Sequence, residues 1–74
     1  MGELTWLSEE GDSKLIWDPA NQDECDAAED QFNTLIEKKF KAYEVKKDGS
    51  QGKEIKRFNS LAGRIIMVPP LAGG

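Results

Sequence analysis

The chain contains no histidine and a single cysteine, Cys25. The first absence removes the commonest general base and metal ligand at neutral pH. The second excludes an intramolecular disulfide and a cysteine-based zinc site. No apolar run approaches the roughly 20 residues of a membrane-spanning helix, and no secretory leader precedes the first predicted strand, so a cytoplasmic location without a membrane partner is expected. Basic residues are the minority, ten against fourteen acids for a net charge of −4. That is the wrong sign for a sequence-independent nucleic-acid binder, and no nucleic-acid partner is expected. With 74 residues, a domain of this size buries only about 60% of the surface its unfolded chain exposes. The core is thin, which disfavours a self-contained enzyme with a deep pocket. The expectation is one small domain that depends on a partner for chemistry.

What is present alternates in period. Leu4–Leu7 and Lys14–Trp17 read as strands around a polar turn, Ser8–Ser13, and suggest a hairpin. Trp6 and Trp17 are candidate cross-strand neighbours, or both face a helix. Asp18-Pro19 and the pair Asn21/Glu24 each offer a helix start. From about residue 20 to residue 40, Cys25, Ala28, Phe32, Leu35, Ile36 and Phe40 recur in steps of three and four, one stripe on a helix. Acids crowd its front, and Lys38, Lys39 and Lys41 its end, matching the helix dipole.

Beyond the helix the period falls to two. Tyr43 and Val45 alternate with Glu44 and Lys46 as in a half-buried strand. Lys47–Gly52 is a turn, and Lys53–Phe58 a polar strand near an edge. Arg64–Val68 holds the unbroken apolar run, which suggests a central strand covered on both faces. Phe32, Leu35, Ile36, Ile66 and Val68 are expected to share a core. The order strand, strand, helix, strand, strand, strand implies an α+β domain with the helix packed across a sheet. If the last strand lies parallel beside the first, the arrangement is β-grasp-like, with a mixed sheet. The alternative is an antiparallel two-layer sandwich.

Several chemically suggestive features have bland explanations. Cys25 sits near a helix start, where a thiol can become nucleophilic, but no histidine exists to serve it and acids surround it; a structural role is expected. Asp23, Glu24, Asp26, Glu29 and Asp30 lack the alternating ligands and glycine of a calcium loop, and read as a solvated face. No metal site is expected. Lys46, Lys47, Lys53, Lys56 and Arg57 could touch phosphate, but edge-strand lysines that block unwanted pairing explain the same residues.

The last six residues, Pro69-Pro70-Leu71-Ala72-Gly73-Gly74, are the most informative. Two prolines end the strand and favour an extended conformation. Leu71 offers one apolar anchor. Gly73 and Gly74 carry no side chains and could thread a narrow channel. Residues 1–68 therefore read as one domain and 69–74 as a flexible tail.

The segment Ile66-Met67-Val68-Pro69-Pro70-Leu71-Ala72-Gly73-Gly74 resembles the carboxy-terminal end of ubiquitin-like sulfur carriers: the small subunit of molybdopterin synthase, the thiamine-pathway carrier and the archaeal small modifier proteins. The close match covers about the last ten residues. The rest is similar in layout alone, and the arginines that flank the ubiquitin diglycine are missing. The resemblance implies a ubiquitin-like carrier, not an enzyme. The Gly74 carboxylate would be adenylated by a partner enzyme using ATP and magnesium, with no cofactor bound to this chain. Residues 69–73 would thread the partner's site. Sulfur would then displace AMP, or the acyl group would pass to lysines of target proteins, and the missing arginines favour a prokaryotic-type activating enzyme. A non-covalent interaction domain with an inert tail is the competing expectation.

Overall fold

The computed structural model describes residues 1–8, 10–45 and 52–70. Five strands and one helix follow in the order β1 (Gly2–Ser8), β2 (Gly11–Trp17), α1 (Gln22–Glu37), β3 (Lys41–Val45), β4 (Glu54–Ile55) and β5 (Arg64–Val68). The strands form one mixed sheet in the order β2-β1-β5-β3-β4. β1 and β5 are parallel, and every other neighbouring pair is antiparallel. The protein is thus a small α+β domain in which one helix packs across a five-stranded sheet.

The hairpin is longer than its apolar residues suggested. Ser8 pairs with Gly11, so only two positions separate the strands, and Gly11–Ser13 belongs to β2 instead of the expected turn. Gly11 sits at φ +111°, a conformation that side chains resist. Within this register Trp17 lies opposite Gly2 and Trp6 opposite Ser13. The two indoles are therefore not cross-strand neighbours, but both lie on the side of the sheet that α1 covers.

Of the two candidate starts, α1 uses Asn21. Its side chain accepts a hydrogen bond from the Glu24 N–H at 3.2 Å, satisfying one of the free donors of the first turn. The Glu24 carboxylate reaches back past the cap and accepts from the Asp18 N–H at 2.8 Å. The helix stops at Glu37 because the chain turns left-handed at Lys39, φ 72°. The Lys39 N–H donates to the Ile36 carbonyl at 2.9 Å and the Phe40 N–H to the Leu35 carbonyl at 3.0 Å, the paired bonds of a Schellman ending. Lys38, Lys39 and Lys41 consequently follow the last turn instead of filling it, correcting the expected dipole match at that end. Phe40 leaves the helix but still packs against the core.

The core is formed by Leu4, Trp17, Cys25, Ala28, Phe32, Leu35, Ala42, Ala62, Ile65 and Met67. The Trp17 indole N–H donates to the Ser60 carbonyl at 2.9 Å, so its one polar group is satisfied inside. Phe58 lies 4.9 Å from Trp17 and 6.0 Å from Phe32 between ring centres, offset geometries that aromatic pairs favour.

Three expectations about the second half need correction. β5 is central, but it is covered on one face only: Ile65 and Met67 are buried while Ile66 and Val68 stay 37% and 44% exposed. Ile66 and Val68 therefore lie outside the core that holds Phe32 and Leu35. In β3 the fully buried residue is Ala42, whereas Tyr43 and Val45 are half-buried; Tyr43 pairs with Ile66 on the outer face. Finally, the polar strand expected over residues 53–58 shrinks to Glu54–Ile55, because Phe58 turns inward to reach Trp17. That strand does lie at an edge. The expected turn over Lys47–Gly52 lies outside the described residues except for Gly52.

Candidate functional site

The candidate site begins where β5 ends. β5 is held on both sides, by Met67 opposite Trp6 of β1 and Val68 opposite Lys41 of β3. The chain therefore leaves the sheet from its middle, at a point fixed by two ladders of hydrogen bonds. Pro69 and Pro70 follow directly. Pro69 is half-buried and lines an open groove of about 670 Å³ with Trp6, Leu35, Lys38 and Phe40. Pro70 is exposed. Neither proline can extend the ladder as a donor, so pairing stops at Val68. Leu71, Ala72, Gly73 and Gly74 lie outside the described residues.

Beside this exit the outer face of the sheet carries exposed apolar residues. Leu7 is 51% exposed, and Ile66 and Val68 stand on the same face by the alternation of the strands. The composition could have revealed this face only with the parity of β5, which an unbroken apolar run does not encode.

The same face carries a charge bridge across three strands. Arg64 Nε lies 2.7 Å and Lys14 Nζ 3.1 Å from the two carboxylate oxygens of Glu3. Hydrogen bonds from Lys14 and then Arg64 outweigh desolvation and hold the Glu3 carboxyl below the usual glutamate range. Glu3 and Arg64 are direct partners in the parallel β1/β5 register. The sequence reading missed this bridge, because the residues are separated by nearly the whole chain.

The other candidates are placed as follows. Cys25 is buried, and its thiol donates toward the Asp18 carbonyl at 3.5 Å. Desolvation first, and then Asp26, Asp18, Glu24 and Glu29, push the thiol pKa up, the opposite of what an activated nucleophile requires. The helix acids Asp23, Glu24, Asp26, Glu29 and Asp30 are exposed. Among the described residues no three His, Cys, Asp or Glu side chains are grouped to hold a metal ion. Lys53, Lys56 and Arg57 are exposed, and Lys56 pairs with Glu54 at 3.4 Å; Lys46 and Lys47 lie outside the described residues. Phe58, next to Arg57 in the chain, packs against the core. No helix among the described residues is long and apolar enough to cross a membrane.

Comparison of the chain with known family models, curated proteins and solved structures returns no match.

Proposed function

We propose that this chain is a β-grasp, ubiquitin-like carrier or small modifier, activated at the Gly74 carboxylate by a partner adenylating enzyme. The observation that carries the reading is the central last strand. β5 runs parallel to β1 in the order β2-β1-β5-β3-β4, and Pro69-Pro70 follows it immediately. A strand anchored on both sides separates the molecule into a docking body and a reactive end. The body gives the partner a rigid surface, with Leu7, Ile66 and Val68 supplying exposed apolar contacts beside the exit. The end lacks side chains at its last two positions, and the stiff proline pair limits the entropy lost on ordering it.

The chemistry asks for a free carboxylate on Gly74 in the mature protein and no other reactive group from this chain. A Gly74 oxygen attacks the phosphate of magnesium-bound ATP nearest the ribose, and pyrophosphate leaves. Hydrosulfide then attacks the acyl carbon, AMP leaves, and a thiocarboxylate results. Alternatively, an enzyme thiol takes the acyl group and a lysine amine of a target receives it. The raised pKa of Cys25 supports its exclusion from these steps.

The exposed apolar face favours a second reading, a non-covalent interaction domain with an inert tail. Intact-mass measurement after incubation with the activating enzyme, ATP and magnesium separates the two. Carrier function gives a gain of about 16 Da for a thiocarboxylate, or an isopeptide to lysine. Deleting Gly73 and Gly74, or adding a residue after Gly74, abolishes the reaction while the fold persists. Full activity of the truncated chain overturns the carrier reading.

A further inference from the structure

The two edges of the sheet are guarded differently. β4 is two residues long, and Lys53, Lys56 and Arg57 flank it. Short, lysine-bordered edges are how soluble proteins discourage strand addition. β2 is the other edge, and it is longer and carries a single lysine. It runs seven residues, Gly11–Trp17, without proline. Among the described residues nothing pairs with its outer side. Its one lysine, Lys14, is drawn back along the face to Glu3 at 3.1 Å. The free edge therefore offers a row of backbone donors and acceptors to another strand.

The sequence of β2 selects which strand fits. In antiparallel pairing, opposite side chains share a face. Asp12 and Lys14 both lie on the outer face, opposite Leu7 and Thr5 of β1. If two copies of β2 pair antiparallel about Ser13, Asp12 of each copy meets Lys14 of the other. Moving the centre to Lys14 sets lysine against lysine. Moving it to Asp12 sets aspartate against aspartate. Only the Ser13-centred register, among these three, pairs opposite charges twice, and cross-strand pairs of this kind favour a register. Lys14 has three donors, so it can bridge Glu3 of its own chain and Asp12 of the other.

The geometry points to a self-complementary β2 edge through which a second copy of this chain adds to the sheet, giving one continuous sheet across a two-fold axis at Ser13. This inference is independent of the Gly74 reading, and its experiments need no activating enzyme. Sedimentation equilibrium of the full chain, across about 10 μM to about 1 mM, reads the association. The expected weight-average mass rises from 8.3 kDa toward twice that value. On dilution, amide resonances of Gly11–Leu15 shift while those of Ile66 and Val68 do not.

Asp12→Lys weakens association by about tenfold or more, since both attractive pairs become repulsive. This variant keeps the Glu3–Lys14 bridge, and an unchanged thermal midpoint verifies its fold. The swap D12K/K14D, made together with E3Q so that the new acid does not face Glu3, restores association. A monomer at every concentration overturns the proposal. So does association that D12K leaves unchanged, a folded swap variant that fails to recover it, or dilution shifts centred on Ile66–Val68.

Discussion

Gly2 lies directly opposite Trp17 in the β1/β2 register, with its α-carbon against the face of the indole. A β-carbon at Gly2 would fall well inside the contact radius of the ring atoms Cε2, Cζ2 and Cδ2. Trp17 cannot yield easily, because it is fully buried and its N–H is committed to Ser60. Gly2→Ala is therefore expected to destabilise the domain by about 1–3 kcal/mol through overpacking. Urea denaturation followed by tryptophan fluorescence measures it. A cost near zero would mean that the start of β1 yields freely.

The parity of β5 gives a paired prediction. Ile65 is fully buried and Ile66 is 37% exposed. Ile65→Ala should cost about 2–5 kcal/mol through the cavity it leaves, a large fraction of the stability of a domain this small. Ile66→Ala should cost less than about 1 kcal/mol in stability. If the outer face docks the activating enzyme, Ile66→Ala should instead raise the concentration of this protein needed for half-maximal pyrophosphate exchange. Equal stability losses at the two positions would contradict the observed face assignment.

The Glu3 bridge predicts an acid-side pH dependence. The carboxyl pKa is depressed in the folded protein by Lys14 and Arg64. The unfolded chain therefore binds the proton more readily. The stabilisation is fully present above the unfolded pKa and is lost as pH falls through the folded pKa. Lys14 and Arg64 are more than half exposed, so solvent and salt screen the bridge, and its worth is about 0.5–1 kcal/mol. Comparing wild type with Glu3→Gln by urea melts at pH 7 and pH 3 tests this. The difference should shrink at the lower pH and in high salt.

Lys39 occupies the left-handed position that ends α1, φ 72°, where glycine is the usual residue. Its side chain is exposed, so nothing in the packing requires lysine there. Lys39→Gly should raise stability by about 0.5–1 kcal/mol, the relieved steric cost exceeding the extra chain entropy of glycine. A fall in the thermal midpoint would show that the lysine makes a compensating interaction.

The sequence by itself determined the element order, the helix and its buried stripe. Cys25, Ala28, Phe32 and Leu35 must share a face because a 3.6-residue period leaves no other arrangement. Asn21 was one of two legible caps, and only the turn from Asp18, which lets Glu24 reach the Asp18 N–H, selected it. The punctuation by Pro69-Pro70 was equally legible, since a missing donor ends a ladder wherever it falls. Tertiary structure decided the rest. Arg64-Ile65-Ile66-Met67-Val68 is apolar at four consecutive positions, so either parity satisfies the pattern. Pairing with β1 and β3 set Ile65 and Met67 against the helix and left Ile66 and Val68 outside. Tertiary structure also brought Arg64 to Glu3 and Phe58 under Trp17, contacts between residues far apart in the chain. Local periodicity fixes which residues within one element share a face, but only the packing of elements against one another decides which face is covered.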